Sequence, residues 1–246
     1  MIVSFSSVKG GVGKSVSCVN LAYYLGTQKN KKVLVIDLDC QAGATHNLSA
    51  KFNKKFKASL YDVFKGKVHV ERAIHNYEKL ISFIPVNYKF HELIDSDFEG
   101  KFKKLIEDVK KEYDFIFLDL SPAVYTGTTI PLICSDRVII PVDCPGGLGV
   151  LGLDTAAEQI SEIRNTKNKS LDILGILPCF VDYTKVSKEV LSYLQKQYPN
   201  DVLPAIRRNA SVAQASSLGK TIFEYKPKSI GAEDYTKLGQ EFMRRI

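Results

Sequence analysis

The sequence lacks the features that mark membrane, secreted or metal-scaffold proteins. No run of about 18 apolar residues occurs in the 246-residue chain, so no transmembrane helix is predicted. The opening MIVSFSS has no basic segment before its apolar residues and no cleavage site after them, so no signal peptide is predicted. The five cysteines are scattered without a CxxC pair, and the four histidines show no ligand spacing. These patterns argue against a disulfide framework and against a zinc or iron–sulfur site, and they favour a reducing cytoplasm.

The composition is that of an ordinary globular protein with a basic excess. Hydrophobic residues make up 45% of the chain and charged residues 25%. The length suits a single domain spanning residues 1–246, which can bury a full core without disulfides or metals. The 34 Lys and Arg exceed the 27 Asp and Glu, for a net charge of +7. Composition alone leaves two interpretations open: an ordinary solvated surface, or a polyanionic partner such as nucleic acid or an acidic membrane face.

Short apolar runs alternate with amphipathic segments along the chain. The runs are apolar throughout, which is typical of strands buried on both faces. They span residues 2–7, 33–38, 80–84, 115–119, 137–142, 173–177 and, more weakly, 202–206. The amphipathic segments span residues 15–29, 97–112, 151–165, 185–198 and 231–245. This order predicts an α/β fold, a mainly parallel twisted sheet with helices on both faces.

A glycine-rich segment follows the first predicted strand and precedes a predicted helix. Its glycines let the backbone turn tightly and bring N–H groups up to a phosphate, and the helix N-terminus adds partial positive charge. Lys14 would reach the β- and γ-phosphates of a nucleotide, and the Ser15 hydroxyl would bind Mg²⁺. The first glycine of the usual GxxxxGK[ST] pattern is replaced by Val8, but the strand–loop–helix context is kept. The sequence therefore predicts a P-loop NTPase-like site formed by Lys9, Gly10, Gly11, Val12, Gly13, Lys14, Ser15 and Val16.

Three aspartates lie at the ends of two predicted strands. Asp37 and Asp39 close the run VLVIDLD and, being two residues apart in a strand, share one face. Asp119 ends the run FIFLD. Ligands of parallel sheets bind at the carboxyl ends of the strands, which is where the phosphate loop also lies. Carboxylates at this edge suit Mg²⁺ held through water, so the predicted metal site comprises Ser15, Asp37, Asp39 and Asp119.

A second lysine inside the loop, Lys9, makes KGGVGKS resemble the deviant Walker A motif of the ParA/MinD family of ATPases. The resemblance continues in DLDCQAGAT, where the family pattern runs DLDPQGNAT. It implies ATP and Mg²⁺ as cofactors, and a nucleotide-dependent homodimer in which Lys9 reaches across the interface to the partner's ATP. It implies catalytic roles for Lys9, Lys14 and Asp39, with Asp39 orienting the attacking water. Asp37 would lie nearer the metal, and Asp119 would act as the Walker B aspartate.

The sequence departs from the family pattern in both of the segments that follow these strands. Cys40 stands where the family has proline, which changes the stiffness of the first segment without removing a chemical group. After Asp119 the family continues with TPP, whereas this chain continues with Leu120-Ser121-Pro122, so one proline is kept and the threonine is lost.

The C-terminal third carries most of the basic excess. Between Tyr183 and Lys228 the chain has eight basic and three acidic residues. Such a concentration can bind DNA phosphates without reading sequence, and a solvated face is the alternative. Residues 206–242 are similar to the C-terminal region of partition ParA proteins, which implies that Arg208 and Asn209 lie beside the adenine and that this region binds nonspecific DNA. The predicted DNA contacts are Lys185, Lys188, Arg207, Lys220, Lys226 and Lys228.

These features together predict a DNA-segregation ATPase of the cytoplasm and nucleoid. Its ATP dimer would bind nonspecific DNA, and hydrolysis stimulated by a ParB-like partner would release it. Two alternatives are a MinD-like membrane ATPase and a relative that positions a protein assembly on the nucleoid. The first needs an amphipathic basic tail, which residues 241–246 do not supply, so no membrane partner is expected. No helix-turn-helix extension precedes the first strand, so operator-specific repression is not expected.

Overall fold

A mainly parallel sheet forms the centre of the protein. The computed structural model describes residues 1–53, 55–94, 97–122, 126–146 and 149–246. Its strands are β1 Ile2–Phe5, β2 Val33–Leu38, β3 His75–Glu78, β4 Ile81–Ile84, β5 Phe115–Leu120, β6 Arg137–Asp143, β7 Asp172–Val181 and β8 Ile206–Arg207. Within the described residues they form one sheet in the order β3-β4-β2-β5-β1-β6-β7-β8. Every neighbouring pair is parallel except β3 and β4, which run antiparallel.

Helices connect these strands and cover both faces of the sheet, which confirms the predicted fold. They are α1 Lys14–Gln28, α2 Gly43–Asn47, α3 Leu60–Phe64, α4 Val70–Ala73, α5 Phe98–Val109, α6 Thr126–Ile133, α7 Gly149–Thr166, α8 Lys185–Gln197, α9 Ala210–Ser217, α10 Ile222–Tyr225 and α11 Ile230–Arg245. Short 3-10 helices lie at Ala50–Phe52 and Tyr88–Leu93. The predicted helices 15–29, 185–198 and 231–245 agree with α1, α8 and α11 to within one residue. Among the described residues, no helix has both the length and the hydropathy that crossing a bilayer requires.

Strand β2 shows why an entirely apolar run needs a layer of helices on each side. All six of its residues are buried. Leu34 and Ile36 belong to an apolar cluster on one face of the sheet, whereas Val33 and Val35 belong to a second cluster on the other face. Alternate residues of a strand point to opposite faces, so both sets are removed from water only when both faces are covered.

Different helices supply the two clusters. Helices α5, α7 and α8 pack on one face through residues that include Phe102, Ile160 and Leu194. Helices α1, α9 and α11 pack on the other face through residues that include Leu21 and Leu238. The C-terminal third is therefore divided, with α8 on one side of the sheet and α9 to α11 on the other.

The structure departs from the predicted strands at the two edges of the sheet. Strand β3 was not predicted, because only Tyr77 of its sequence HNYE is buried and no apolar run marks it. At the other edge, the weak run 202–206 forms little strand: β8 has two residues, and Val202 adds an isolated bridge to Ile176. Edge strands pair on one side only, so their sequences carry a weaker apolar signal than the central strands do.

The contact between Gly239 of α11 and Tyr24 of α1 generates a test of the packing. A Cβ added at Gly239 would overlap the Tyr24 ring. We expect Gly239→Ala to lower the free energy of unfolding by about 1–3 kcal/mol, because one of the two helices must shift. Gly100→Ala is the matched control: this site on α5 has no neighbouring atom closer than 3.5 Å, so alanine should raise stability by about 0.5–1 kcal/mol. Urea unfolding measures both, and a Gly239→Ala protein as stable as the parent would contradict this packing.

Candidate nucleotide-binding site

The loop between β1 and α1 is built around two glycines in left-handed conformations. Gly11 has φ +73° and Gly13 has φ +91°, values that residues with a side chain rarely adopt. A Cβ at Gly13 would also lie 3.4 Å from Cys179 Sγ, so the loop packs closely against the end of β7. Gly13 is the residue directly before α1, so the free N–H groups and partial positive charge of the helix start lie at the loop. This backbone arrangement, with free N–H groups at a helix start, is typical of an anion-binding site.

Lys14, the first residue of α1, is buried, with 5% of its surface exposed. Its Nζ donates to the backbone carbonyl of Lys9 at 3.5 Å, which keeps the ammonium at the loop. Burial lowers the pKa of Lys14, and the charges of Asp119 and Asp39 act in the opposite direction. Lys14, Ser15 and Asp39 all line a cavity of about 470 Å³ beside the loop. A buried ammonium that faces such a cavity is stabilised by an anionic ligand.

Asp37 anchors the segment that follows β2. Its Oδ2 accepts hydrogen bonds from the backbone N–H of Thr45 at 2.7 Å and from Thr45 Oγ1 at 2.8 Å. Its Oδ1 accepts from the backbone N–H of Asp39 at 3.1 Å. Burial raises the pKa of Asp37 to about 7, and the bonds from Thr45 and Asp39 oppose this rise. Both oxygens accept hydrogen bonds from the chain, so Asp37 holds the segment carrying Asp39 in place.

Asp119 lies opposite Asp37 in the register of β5 and β2 and is completely buried. Within the described residues, neither of its carboxylate oxygens accepts a hydrogen bond of normal geometry. Burial raises the pKa of Asp119 well above its usual range and the charge of Asp37 adds to the rise, whereas the nearby Ser15 hydroxyl and Lys14 oppose it. Burying an ionised carboxylate without partners costs free energy of folding, unless a cation or an ordered water contacts its oxygens.

Ser15 and Asp119 converge beside Gly43. A Cβ built on Gly43 would lie 2.5 Å from Ser15 Oγ and 4.0 Å from Asp119 Oδ2, so only glycine fits between them. In the parts of the chain that the structure describes, no three His, Cys, Asp or Glu side chains are arranged to hold a metal ion by themselves. Mg²⁺ ordinarily takes one or two protein ligands and completes its shell with phosphate oxygens and water. The Ser15 hydroxyl and the Asp119 carboxylate beside an anion-binding loop fit that requirement.

A second, larger cavity of about 640 Å³ adjoins the first. The two cavities share Gly13, Val16, Phe180 and Ser216 in their linings, so they lie side by side, and together we call them the groove. An anion-binding loop at one end and a mainly apolar pocket at the other is the form that a nucleotide needs. The pocket end is lined by residues that include Val16, Phe180, Ile206, Arg208, Asn209, Val212, Ala213 and Tyr235.

The structure brings most of the residues predicted to bind nucleotide to this groove. Two of them lie elsewhere: Val12 is buried beneath the loop, and the side chain of Lys9 bonds to Asp143. Asn209 caps α9, its Oδ1 accepting from the backbone N–H of Ser211 at 2.8 Å. The predicted residues that line the groove are Gly10, Gly11, Gly13, Lys14, Ser15, Val16, Arg208 and Asn209.

Phe180 and Tyr235 also line the groove, and sequence reasoning missed both. Phe180 adopts a left-handed backbone with φ +57°, which is unusual for an aromatic residue. It lies at the carboxyl end of β7, the same sheet edge as the phosphate loop. In the sequence, an apolar residue at a strand end looks like any core residue, so only its position after a predicted strand could have indicated it.

Comparison with known proteins agrees with this geometry. The family described as an AAA domain matches residues 1–173. The chromosome-partitioning ATPase Soj of Treponema pallidum is 31% identical, with 98% of this chain and 96% of that protein covered. The chain belongs to the ParA-type partition ATPases.

Solved structures show the same fold. A plasmid partition protein of Borrelia burgdorferi has a TM-score of 0.81 at 25% identity, over 100% of this ParA-type chain and 98% of the other. The cobyrinic acid a,c-diamide synthase of Mycobacterium smegmatis, solved with a bound ATP analog and magnesium, has a TM-score of 0.81 at 24% identity. It covers 99% of this chain, and 94% of its own chain is matched.

The basic residues of the C-terminal third lie on segments that pack on both faces of the sheet in this ParA-type ATPase. Lys185 and Lys188 belong to α8, which packs on one face of the sheet. Lys220 lies between α9 and α10, and Lys226 and Lys228 lie between α10 and α11, on the opposite face. All five are exposed. These five lysines are close in the sequence, but they do not form a single basic surface on one face of the sheet.

Arg207, one of the predicted DNA contacts, is paired with two carboxylates of α11. Its Nε lies 3.0 Å from each carboxylate oxygen of Asp234, and its Nη2 lies 3.2 Å from Glu233 Oε2. The backbone N–H of Arg207 donates to Asp234 Oδ2 at 2.9 Å. Asp234 is buried, so the guanidinium neutralises a carboxylate inside the protein. Arg207 joins β8 to α11, and its charge is paired within the protein although 42% of its side chain is exposed.

The pairing of Arg207 with buried Asp234 predicts an effect on stability. We expect Arg207→Gln to lower the free energy of unfolding by about 1–3 kcal/mol, because Asp234 loses its charged partner in a buried position. Lys228→Gln removes one exposed positive charge as a matched control and should change stability by less than about 0.5 kcal/mol. Chemical unfolding of the two variants compares them. Equal stability of both would show that the Arg207 pair is dispensable.

Proposed function

We propose that this ParA-type protein is a DNA-segregation ATPase whose activity resides in one catalytic domain, residues 1–246. The observation that carries the proposal is the groove of two adjoining cavities, with the phosphate loop and Lys14 lining one and a mainly apolar pocket forming the other. ATP offers a triphosphate to the loop and an adenine to the pocket. Similarity to a chromosome-partitioning ATPase over nearly the whole chain supports segregation as the purpose of its hydrolysis.

Mg²⁺ accompanies the nucleotide in this proposal. Ser15, Asp119 and Asp39 would hold the ion beside the phosphate loop. Asp37 contributes by holding the segment on which Asp39 lies. When bound, the ion neutralises charge on the phosphate oxygens during phosphoryl transfer.

Hydrolysis depends on groups that this chain places around the phosphate cavity and on one group from a second copy. Lys14 stabilises negative charge on the phosphates. Asp39 orients the attacking water: its Oδ1 accepts from the backbone N–H of Gln41 at 3.0 Å, which fixes the carboxylate. Lys9 of a second subunit completes the site in an ATP-sandwich dimer. Since each site needs a residue from the other subunit, hydrolysis is slow until a ParB-like partner stabilises the complete arrangement.

Dimerisation also accounts for nucleotide-controlled DNA binding at the nucleoid. Affinity for DNA rises steeply with the number of phosphates contacted. A dimer carries twice as many exposed lysines as a monomer. When hydrolysis separates the subunits, each monomer keeps only half of them. The lysines proposed to contact nonspecific DNA are Lys185, Lys188, Lys220, Lys226 and Lys228.

Two variants of the phosphate cavity test the catalytic assignment. We expect Asp39→Ala to bind ATP and accumulate as a dimer with turnover reduced at least about 100-fold, since the attacking water is no longer oriented. Lys14→Ala is the matched control, because it removes the phosphate contact itself and should abolish both ATP binding and dimerisation. Sedimentation with ATP and phosphate release measure these outcomes. An Asp39→Ala protein that stays monomeric with ATP, or a Lys14→Ala protein with normal turnover, contradicts the assignment.

A DNA titration tests the segregation role. Binding should be strong with ATP and weak with ADP or without nucleotide, and it should fall steeply as salt rises. Lys228→Glu should weaken binding and reduce the salt slope by about 1. Lys167→Glu is the control, since this residue is exposed but lies at the end of α7, outside the proposed contacts. Nucleotide-dependent binding to anionic vesicles in place of DNA would favour a membrane ATPase.

A further inference from the structure

Lys9 forms an ion pair within its own subunit. Its Nζ donates to Oδ2 of Asp143, the last residue of β6, at 2.8 Å. The two side chains are 36% and 19% exposed, so the pair is partly sheltered from water. Asp143 is held in the sheet by its register with Cys179 of β7. The lysine is therefore held by a carboxylate on a rigid strand end, and not by a mobile surface group.

The space around this pair depends on Gly146. A Cβ added at Gly146 would overlap Asp143 Oδ2 and lie 2.5 Å from Lys9 Nζ. Any larger residue at this position must displace one partner of the pair. Since the backbone approaches both charged atoms so closely, the pair is enclosed by the chain on this side.

The pair keeps Lys9 away from the phosphate cavity. Lys14 and Ser15 line that cavity, whereas Lys9 does not. The main chain of Lys9 remains part of the loop, because its carbonyl oxygen accepts from Lys14 Nζ and its N–H donates to Ser7 Oγ at 3.3 Å. The two lysines of the loop thus differ: one ammonium is available to a phosphate, and the other is occupied by a carboxylate.

We propose that Asp143 is a positioning residue that holds Lys9 inside its own subunit until the ATP dimer forms. The inference rests on the proposed function, in which Lys9 serves the nucleotide of the partner subunit. One ammonium cannot keep its bond to Asp143 and also reach a phosphate across an interface, so the two interactions compete. The more highly charged triphosphate wins the competition only when a second ATP-bound subunit presents it. Asp143 thereby sets the concentration at which the dimer forms.

The size of the effect follows from the number of pairs that break. A partly exposed ion pair changes an equilibrium by about five-fold. Two pairs are lost for each sandwich dimer, so their contributions multiply to about 25-fold. Asp143→Asn keeps the shape of the side chain and removes its charge. We expect this variant to lower the dissociation constant of the ATP dimer by about 25-fold.

Sedimentation with ATP at a series of protein concentrations measures this constant. Asp172→Asn is the matched control, because Asp172 also forms a partly exposed ion pair, with Arg164, at the other end of the sheet. It should leave the constant within about two-fold of the parent. An Asp143→Asn protein that dimerises no more readily than the Asp172→Asn protein overturns the inference.

A second measurement separates this inference from the proposed function. Acetylation of the nucleotide-free monomer, read by mass spectrometry, reports the accessibility of the Lys9 amine without requiring dimerisation. Asp143→Asn should raise the acetylation rate of Lys9 several-fold and leave that of Lys14 unchanged. If Lys9 of the Asp143→Asn variant reacts faster but the protein never dimerises with ATP, the sandwich dimer is refuted and the ion pair stands. If the reactivity of Lys9 is unchanged, the ion pair itself is refuted. If Asp143→Asn does not fold, Gly146→Ala displaces the pair without removing a charge and should change both measurements in the same direction.

Discussion

The parallel register of the central strands is the constraint on which the site depends. Because β2 and β5 pair in register, Asp37 and Asp119 lie side by side at the carboxyl edge, and β1 delivers the phosphate loop next to them. Two adjacent buried carboxylates oppose each other's ionisation, and Lys14 is buried beside them. Hydrogen bonds from Thr45 and Asp39 compensate Asp37, whereas no such bonds from the described residues compensate Asp119. The local charge balance therefore leaves one carboxylate suited to a cation.

The segment anchored by Asp37 also reaches the C-terminal region. After α2, the backbone N–H of Ala50 donates to the carbonyl oxygen of Gly219 at 3.2 Å, directly before Lys220. The next residue, Lys51, lies 3.6 Å from Glu224, which caps α10. The segment that follows Asp39 is thus in physical contact with the region that carries Lys220, Lys226 and Lys228.

The basic residues of this protein lie in different environments, although a net charge counts them all in the same way. Lys14 is buried at the phosphate cavity, Arg207 neutralises buried Asp234, and Lys9 is paired with Asp143 on a neighbouring strand. The exposed lysines predicted to contact DNA lie on α8, on one face of the sheet, and in the segments between α9, α10 and α11 on the other face. The net charge of +7 therefore says less about a DNA-binding surface than its concentration in the C-terminal third suggests.

Patterns in the sequence were enough to predict the α/β fold, the phosphate loop and the aspartates at the strand ends, and they indicated the ParA-type family. These features depend on patterns within a few residues: apolar runs, glycines before a helix start, and an acid at the end of a strand. The folded structure was needed to show that Arg207 pairs with Asp234, 27 residues away, and that Lys9 pairs with Asp143, 134 residues away. The folded structure was also needed to show that Phe180 lines the groove. Such contacts depend on strand order and register, and no local pattern specifies which distant side chain will meet a given charge at the sheet edge.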